Sequence, residues 1–269
     1  MNRQFPALAA AVMCTAFLAF SGCGKGKTEA KQEAAVEPVT LSVFAAASLT
    51  EALNEIAELY KASAPAVTLS FNFDSSGKLQ TQIESGAEVD LFFSAGQKQM
   101  DALVDQYIDT ETRKDLLVNE IVLIAPEGNK AGVASFEDCL TDKVKLISIG
   151  GEGVPVGQYT QELFTNLKGW DKIQKKASLG SNVKEVLSQV ETGSVDCGVV
   201  YATDAATAKA VTVVAKAPEG SHKPAVYPAA VLKGSANADA AKAFLNYLSG
   251  PEATGVFEKI GFKVVKGSS

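Results

Sequence analysis

The sequence predicts an α/β protein of two lobes, each a mainly parallel sheet flanked by helices. Strand and helix patterns alternate through the first third of the chain, which is the order expected of a parallel α/β sheet. The same alternation restarts after an apolar, β-branched run near residue 120. In open α/β sheets, ligands lie beyond the carboxyl ends of the strands. A functional site is therefore expected in the strand-to-helix turns.

Three strands and two helices are predicted within residues 39–93, in the first lobe. The strands are recognised by β-branched residues, by alternation or by continuous apolar character, and lie at residues 39–44, 67–73 and 89–93. Ser48 and Glu51 form a capping-box pattern at the start of the first helix. Ser76 is the predicted N-cap of the second helix, which Gly86 ends.

The second lobe follows a strand predicted at residues 119–126. Its other strands are predicted at residues 144–149 and 198–201, and its helices at residues 158–167 and 183–191. The helix over 183–191 has apolar residues at i, i+3, i+4 and i+7, with Asn182 as its N-cap and Gly193 as its stop.

A strand at residues 225–232 and a helix at residues 238–248 close the pattern. Strands near residues 120 and 228 are the predicted crossings between the lobes. The first lobe is accordingly expected to comprise residues 39–121 and 228–269, and the second lobe residues 122–227.

Residues 1–22 have the pattern of a signal peptide, with Arg3 before a short apolar run. The run ends at residues 20–23, which resemble the lipobox of bacterial lipoproteins, although Phe20 stands where Leu is usual. Cys23 is then the lipidation site and residues 23–38 a flexible, lipid-anchored linker. The alternative is ordinary secretion with Cys23 unmodified. Either way we expect an exported protein, periplasmic or at the cell surface; which membrane carries the anchor stays open.

Composition excludes several classes of function. The formal net charge of −6 argues against a nucleic-acid partner. The one histidine, His222, lies in a turn-like stretch, so neither a His-rich zinc site nor a Ser-His-Asp triad is easily built. Of the four cysteines, Cys14 and Cys23 fall in the export segment. Cys139 and Cys197 fit no metal motif and either pair or remain buried thiols.

Four predicted helix starts describe an anion pocket. They lie in residues 45–49, 74–77, 154–157 and 181–185, and each supplies a hydroxyl, an amide or a proline that favours a helix start. The first N–H groups of a helix have no intrahelical partner, and the helix dipole makes that end partly positive. Converging helix starts therefore bind an oxyanion without a cationic side chain. The chain reads as a binder of a small, fully ionised oxyanion.

At these residues the chain resembles the ModA family, the periplasmic molybdate-binding proteins of bacterial ABC importers. The resemblance rests on the order and spacing of residues 43–49, 82–87, 90–95, 154–157, 199–205, 250–251 and 261–262. It extends over residues 39–264. It implies a type II periplasmic-binding-protein fold, in which the oxyanion is clamped between two lobes.

The resemblance also implies how the ligand is bound. Ser48 and Ser76 would each offer a hydroxyl and a backbone N–H from the first lobe. Val156 and Val183 would offer backbone N–H groups from the second lobe, and Tyr201 its phenolic O–H. All five would contact the oxygens of molybdate and none would ligate the metal atom; no cofactor is expected.

Asp74 departs from the run of serines that is frequent around Ser76 in the family. Its negative charge would oppose an anion, so we expect the carboxylate to turn away from the site. The affinity or selectivity of the site depends on that orientation.

The expected function is a monomeric, lipid-tethered solute receptor that binds molybdate, accepts tungstate and delivers the anion to an ABC permease by closure of its hinge. A receptor for sulfate or another tetrahedral oxyanion is the alternative in the same class, because sequence does not fix the cavity volume. An enzyme is not expected: a phosphoester hydrolase using Ser48 would lack a base. An interaction lipoprotein with a vestigial cleft is a further alternative.

Overall fold

The computed structural model describes residues 38–265. The predicted signal peptide, the lipidation site at Cys23 and almost all of the predicted linker lie outside the described residues. Within the described part, no helix is long and apolar enough to cross a membrane.

Eleven strands occur in residues 38–265. They are β1 (Val39–Ala46), β2 (Val67–Asp74), β3 (Leu91–Phe93), β4 (Lys114–Asn119), β5 (Ile121–Pro126), β6 (Ile147–Gly150), β7 (Ala177–Gly180), β8 (Cys197–Tyr201), β9 (Val211–Lys216), β10 (Ala225–Val231) and β11 (Lys263–Val264).

Nine α-helices accompany these strands in the same range. They are α1 (Thr50–Ser63), α2 (Ser76–Glu84), α3 (Gln97–Leu103), α4 (Pro155–Asn166), α5 (Trp170–Gln174), α6 (Val183–Glu191), α7 (Ala202–Thr207), α8 (Ala238–Leu248) and α9 (Pro251–Ile260). Two short 3-10 helices cover Ala47–Leu49 and Glu137–Leu140.

The strands form two sheets, one in each lobe. The first sheet has the order β11-β4-β10-β3-β1-β2 and the second the order β7-β6-β8-β5-β9. Strand β1 pairs in parallel with β2 and β3, and β6 with β7 and β8, whereas the other pairs are antiparallel. The predicted two-lobed α/β class is confirmed, with mixed rather than mainly parallel sheets.

The chain crosses between the sheets at Glu120 and again between β9 and β10. The strand predicted at residues 119–126 is therefore two strands: β4 ends at Asn119 in the first sheet and β5 begins at Ile121 in the second. By sheet membership, Ile121 belongs with the second lobe and the start of β10 with the first, a few residues from the boundaries proposed from sequence. Lys216 and Lys263, from opposite sheets, both pair with Glu120 at 2.7 Å, and their hydrogen bonds lower the pKa of Glu120 to about 2.

Two predicted helix caps are wrong. Ser48 lies inside the 3-10 helix Ala47–Leu49, α1 begins at Thr50, and no side chain caps it. Ser75, rather than Ser76, caps α2, with its Oγ accepting a hydrogen bond from the Lys78 N–H at 3.4 Å. In both places the predicted cap is instead bonded to a distant part of the chain. The Asn182 cap of α6 is confirmed, since its Oδ1 accepts from the Glu185 N–H at 3.1 Å.

Several helices and strands were not predicted from the sequence. Helix α8 does not close the chain, because α9 and β11 follow it. Helices α3, α5 and α7 and strands β7 and β9 were also missed; they are short or partly exposed, which weakens their periodic signal.

Candidate functional site

The candidate site is a small cavity between the lobes, at the carboxyl ends of strands from both sheets. It is lined by Ala46, Ala47, Ser48, Asp74, Ser75, Ser76, Ala95, Val154, Pro155, Val156, Val183 and Tyr201. All five residues that the sequence singled out are brought together here. The space open to the centre of a water-sized sphere is about 10 Å³, far below the volume of pockets that bind organic ligands. It suits an inorganic anion.

Three α-helices begin at the cavity. Ser76 and Val183 are the first residues of α2 and α6, and Val156 is the second residue of α4. Their N–H groups have no acceptor within their helices. Pro155 has no N–H, so Val156 presents the first free amide of α4. The positive ends of three helix dipoles therefore meet at one small space.

The Ser76 hydroxyl is oriented so that it can donate a hydrogen bond into the cavity. Its oxygen accepts a hydrogen bond from the Ala95 N–H at 2.9 Å, and the residue is fully buried. Because the oxygen is occupied as an acceptor, its own hydrogen remains for a ligand in the cavity.

The Ser48 hydroxyl belongs to a buried network that the sequence did not reveal. Its oxygen lies 2.9 Å from the Tyr227 hydroxyl. The Asn119 side-chain amide donates to the same Tyr227 oxygen at 3.3 Å and to Thr203 Oγ1 at 2.8 Å. With its oxygen accepting from Asn119, Tyr227 can donate its own hydrogen to Ser48; in that arrangement the Ser48 hydrogen is left for the cavity. Burial raises the pKa of Tyr227 well above its usual value, which keeps this donor protonated.

Tyr201 reaches the cavity from the end of β8. Its hydroxyl donates to the Ala95 carbonyl across the lobes at 3.4 Å, a long hydrogen bond that a better acceptor would replace. Burial, and next the neighbouring Tyr227, raise its pKa well above the usual value. Tyr201 is therefore a neutral donor at any physiological pH.

Asp74 is the one carboxylate among the lining residues. Its Oδ1 accepts from the Ser75 N–H at 2.7 Å, from Asn182 Nδ2 at 3.1 Å and from Lys78 Nζ at 3.3 Å. These three donors fix that oxygen and offset its charge. The contact with Asn182 also joins the first lobe to the cap of α6.

Further contacts join the lobes beside the cavity. The Gly77 N–H donates to the Gly153 carbonyl at 2.9 Å, which places the backbone of α2 against the loop before α4. Lys184 Nζ lies 2.8 Å from Glu51 in the first lobe and 3.0 Å from Asp204 in the second. Asp204 is buried, and burial raises its pKa to about 6 against the lowering effect of Lys184. We infer that these contacts define a closed arrangement.

The chain is similar to known proteins of one family. The family model for bacterial extracellular solute-binding proteins matches residues 41–263. The molybdate-binding protein ModA of Escherichia coli is 41% identical to this chain, over 83% of this chain and 89% of that protein. The chain belongs to the ModA family of bacterial extracellular solute-binding proteins.

Two further similarities extend this assignment. YvgL of Bacillus subtilis, provisionally named an ABC transporter substrate-binding lipoprotein, is 42% identical to this ModA-family chain, over 92% of this chain and 94% of that protein. The solved periplasmic molybdate-binding protein of Azotobacter vinelandii has the same fold, with a TM-score of 0.74 and 23% identity, over 84% of this chain and 100% of that one.

Proposed function

We propose that this protein is the extracytoplasmic receptor that binds molybdate, and also tungstate, and delivers it to an ABC permease. One observation carries the proposal: helix starts and hydroxyls of both lobes converge on a small cavity without a lysine or arginine in its lining. The ligands are proposed to be the hydroxyls and N–H groups of Ser48 and Ser76, the N–H groups of Val156 and Val183, and the Tyr201 hydroxyl.

The chemistry of the donors favours a fully deprotonated dianion. Each of these groups presents a hydrogen, and the single acidic side chain at the rim, Asp74, has its Oδ1 engaged with three donors. A protonated anion such as hydrogen phosphate would need an acceptor facing it, whereas the five proposed ligands all act as donors. Charge-assisted hydrogen bonds contribute about 1.5–3 kcal/mol each, so a handful gives tight binding after the ordering costs.

Calorimetric titration with molybdate, tungstate, sulfate and phosphate in parallel tests the proposal. We expect strong heats for the first two anions and little response to the others. Sulfate binding with weak molybdate binding would assign the protein to the alternative, a sulfate receptor, because sulfate has the same charge and a smaller radius. No heat of binding with any of the four anions would contradict an anion-receptor role.

A hydrolase that uses Ser48 as its nucleophile is disfavoured by the Ser48 surroundings. The neighbouring polar group is Tyr227, whose raised pKa keeps it protonated at neutral pH, so it cannot take the Ser48 proton.

The receptor is further proposed to be monomeric and tethered to the membrane through lipid on Cys23. The sequence around Cys23 and the lipoprotein name of the B. subtilis relative support the tether. The mass of the exported protein checks it: the chain should begin at Cys23 and carry a thioether-linked diacylglycerol. An unmodified cysteine would contradict the anchor and leave the receptor role intact.

Tyr201→Phe is expected to weaken molybdate binding by roughly 10- to 100-fold, because it removes one charge-assisted donor and keeps the ring. Titration calorimetry measures the affinity, and thermal unfolding confirms that the fold persists. Tyr107→Phe is the matched control, since that hydroxyl also makes one 3.4 Å bond to a carbonyl but lies away from the cavity. Equal affinities for the two variants would remove Tyr201 from the site.

A further inference from the structure

The second lobe contains two buried thiols in contact. Cys139 lies in the 3-10 helix Glu137–Leu140, and Cys197 is the first residue of β8. Their Sγ atoms are 3.8 Å apart although the residues are separated by 58 positions in the sequence. Both side chains are completely buried. An S–S bond is about 2 Å long, so the two sulfurs would need to move less than about 2 Å closer to form a disulfide.

We propose that Cys139 and Cys197 form a disulfide bond in the exported protein. The chain belongs to a family of extracellular proteins, and disulfides form and persist outside the reducing cytosol. No other described cysteine competes for either thiol, since these are the two cysteines of residues 38–265. The pairing does not depend on which anion the protein binds.

Thiol–disulfide exchange supplies the chemistry. A disulfide-bearing oxidant accepts one cysteine thiolate, releases one of its own sulfurs as a thiol and leaves a mixed disulfide on the chain. The second cysteine then attacks the chain's sulfur of that mixed disulfide, and the oxidant's other sulfur leaves as a thiol. Cys139 and Cys197 together lose two protons and two electrons, and the oxidant gains both.

The order of events follows from burial. Contact with Cys139, and next burial, raise the pKa of the Cys197 thiol, so the folded protein holds almost no thiolate at this position. Oxidant also has no access to either fully buried sulfur. The exchange must therefore precede the closing of the second lobe around the pair. The bond is a structural disulfide that forms during folding, and it is not reversibly reduced and oxidised in the folded receptor.

This disulfide would connect the 3-10 helix Glu137–Leu140 to β8, the strand that ends at Tyr201. A cross-link between residues 58 positions apart restricts the unfolded chain. We expect the oxidised protein to melt roughly 10 °C above the reduced protein, from the usual effect of a loop of this size in a domain of this length.

Peptide mapping of the exported protein tests the bond directly. The protein is alkylated in denaturant without reductant and cleaved after lysine and arginine, so that Cys139 falls in the peptide of residues 131–143 and Cys197 in that of residues 185–209. The proposal expects one mass for the two peptides joined, which separates into both on reduction. Recovery of two separately alkylated peptides would overturn it.

Melting temperature gives a second, independent readout. Exported wild-type protein is compared with the same protein refolded in dithiothreitol, and the double variant Cys139→Ala, Cys197→Ala is treated identically. We expect reduction to lower the melting temperature of the wild type and to leave that of the double variant unchanged. A wild type that melts at the same temperature in both forms would also overturn the proposal.

Discussion

Gly77→Ala is expected to weaken molybdate binding by about 100-fold or more while leaving each lobe folded. A Cβ on Gly77 would lie 2.3 Å from the Gly153 carbonyl oxygen and 2.6 Å from the Gly153 Cα. Real Cβ atoms do not approach backbone so closely, so the lobes cannot meet as they do here. The three donors proposed from the second lobe then no longer converge with Ser48 and Ser76.

The same substitution does not disturb the first lobe. Gly77 is the second residue of α2, where alanine is the better helix former. The three atoms nearest to its Cβ all belong to Gly153 in the other lobe. The variant therefore separates closure of the cleft from stability of the fold.

Calorimetry and small-angle scattering together measure the effect. Wild-type protein should become more compact with saturating molybdate, whereas Gly77→Ala should remain extended. Gly255→Ala is the matched control, because it makes the same change within α9 where nothing lies within 4 Å of the added carbon. Wild-type affinity in Gly77→Ala would show that the arrangement described here is not the ligand-bound one.

Lys184→Met is expected to lower the free energy of unfolding by about 3–5 kcal/mol at pH 8, with a fall of roughly 10 °C in melting temperature. The ammonium of Lys184 lies 3.0 Å from the fully buried carboxylate of Asp204. Burial of Lys184 favours its neutral form, but Asp204 and Glu51 outweigh that effect and raise its pKa. Removing the ammonium leaves the Asp204 charge buried without a partner.

The loss should depend on pH in a defined direction. The pKa of Asp204 is raised to about 6 in the folded protein, above its value in the unfolded chain. A group of this kind contributes stability at low pH that is lost as the pH rises through the folded pKa. Without Lys184 that pKa rises further. The difference between variant and wild type should therefore be small at pH 5 and large at pH 8.

Two variants isolate the cause. The double variant Lys184→Met, Asp204→Asn removes both charges and should recover most of the stability and lose the added pH dependence. Lys216→Met removes a lysine that is 71% exposed beside Glu120 and should change the stability by less than about 0.5 kcal/mol. A double variant as unstable as Lys184→Met would show that packing, rather than the Asp204 charge, accounts for the loss.

Local patterns in the sequence were sufficient for much of the secondary structure. The helix over residues 183–191 and the helix over residues 238–248 occur with the predicted limits, because their periodic apolar faces lie within the segment itself. For the first of these, Asn182 and Gly193 also mark the ends, and Gly193 has the positive φ of 68° expected after a helix. The two-lobed α/β class follows from the order of such segments.

The sequence also indicated which turns would face the cleft. Five residues were singled out, and the fold brings all five to one cavity. Their roles as ligands remain proposals. Helix starts after parallel strands lie at the same edge of a sheet whatever the details of packing, so their convergence is predictable from the chain order.

Only the tertiary structure decided which partner each polar group takes. Ser48 has the spacing of a helix cap, yet its hydroxyl bonds to Tyr227, 179 residues away, because both are buried where a polar group must be paired. Lys184 matters for stability because it pairs with Asp204. Gly77 matters for closure because it lies against Gly153 of the other lobe. The sequence by itself determined the two lobes and the turns that face each other. The packing of the closed lobes decided the partners of these groups. A contact between distant segments depends on how both are packed, and neither segment shows it as a periodic pattern in its sequence.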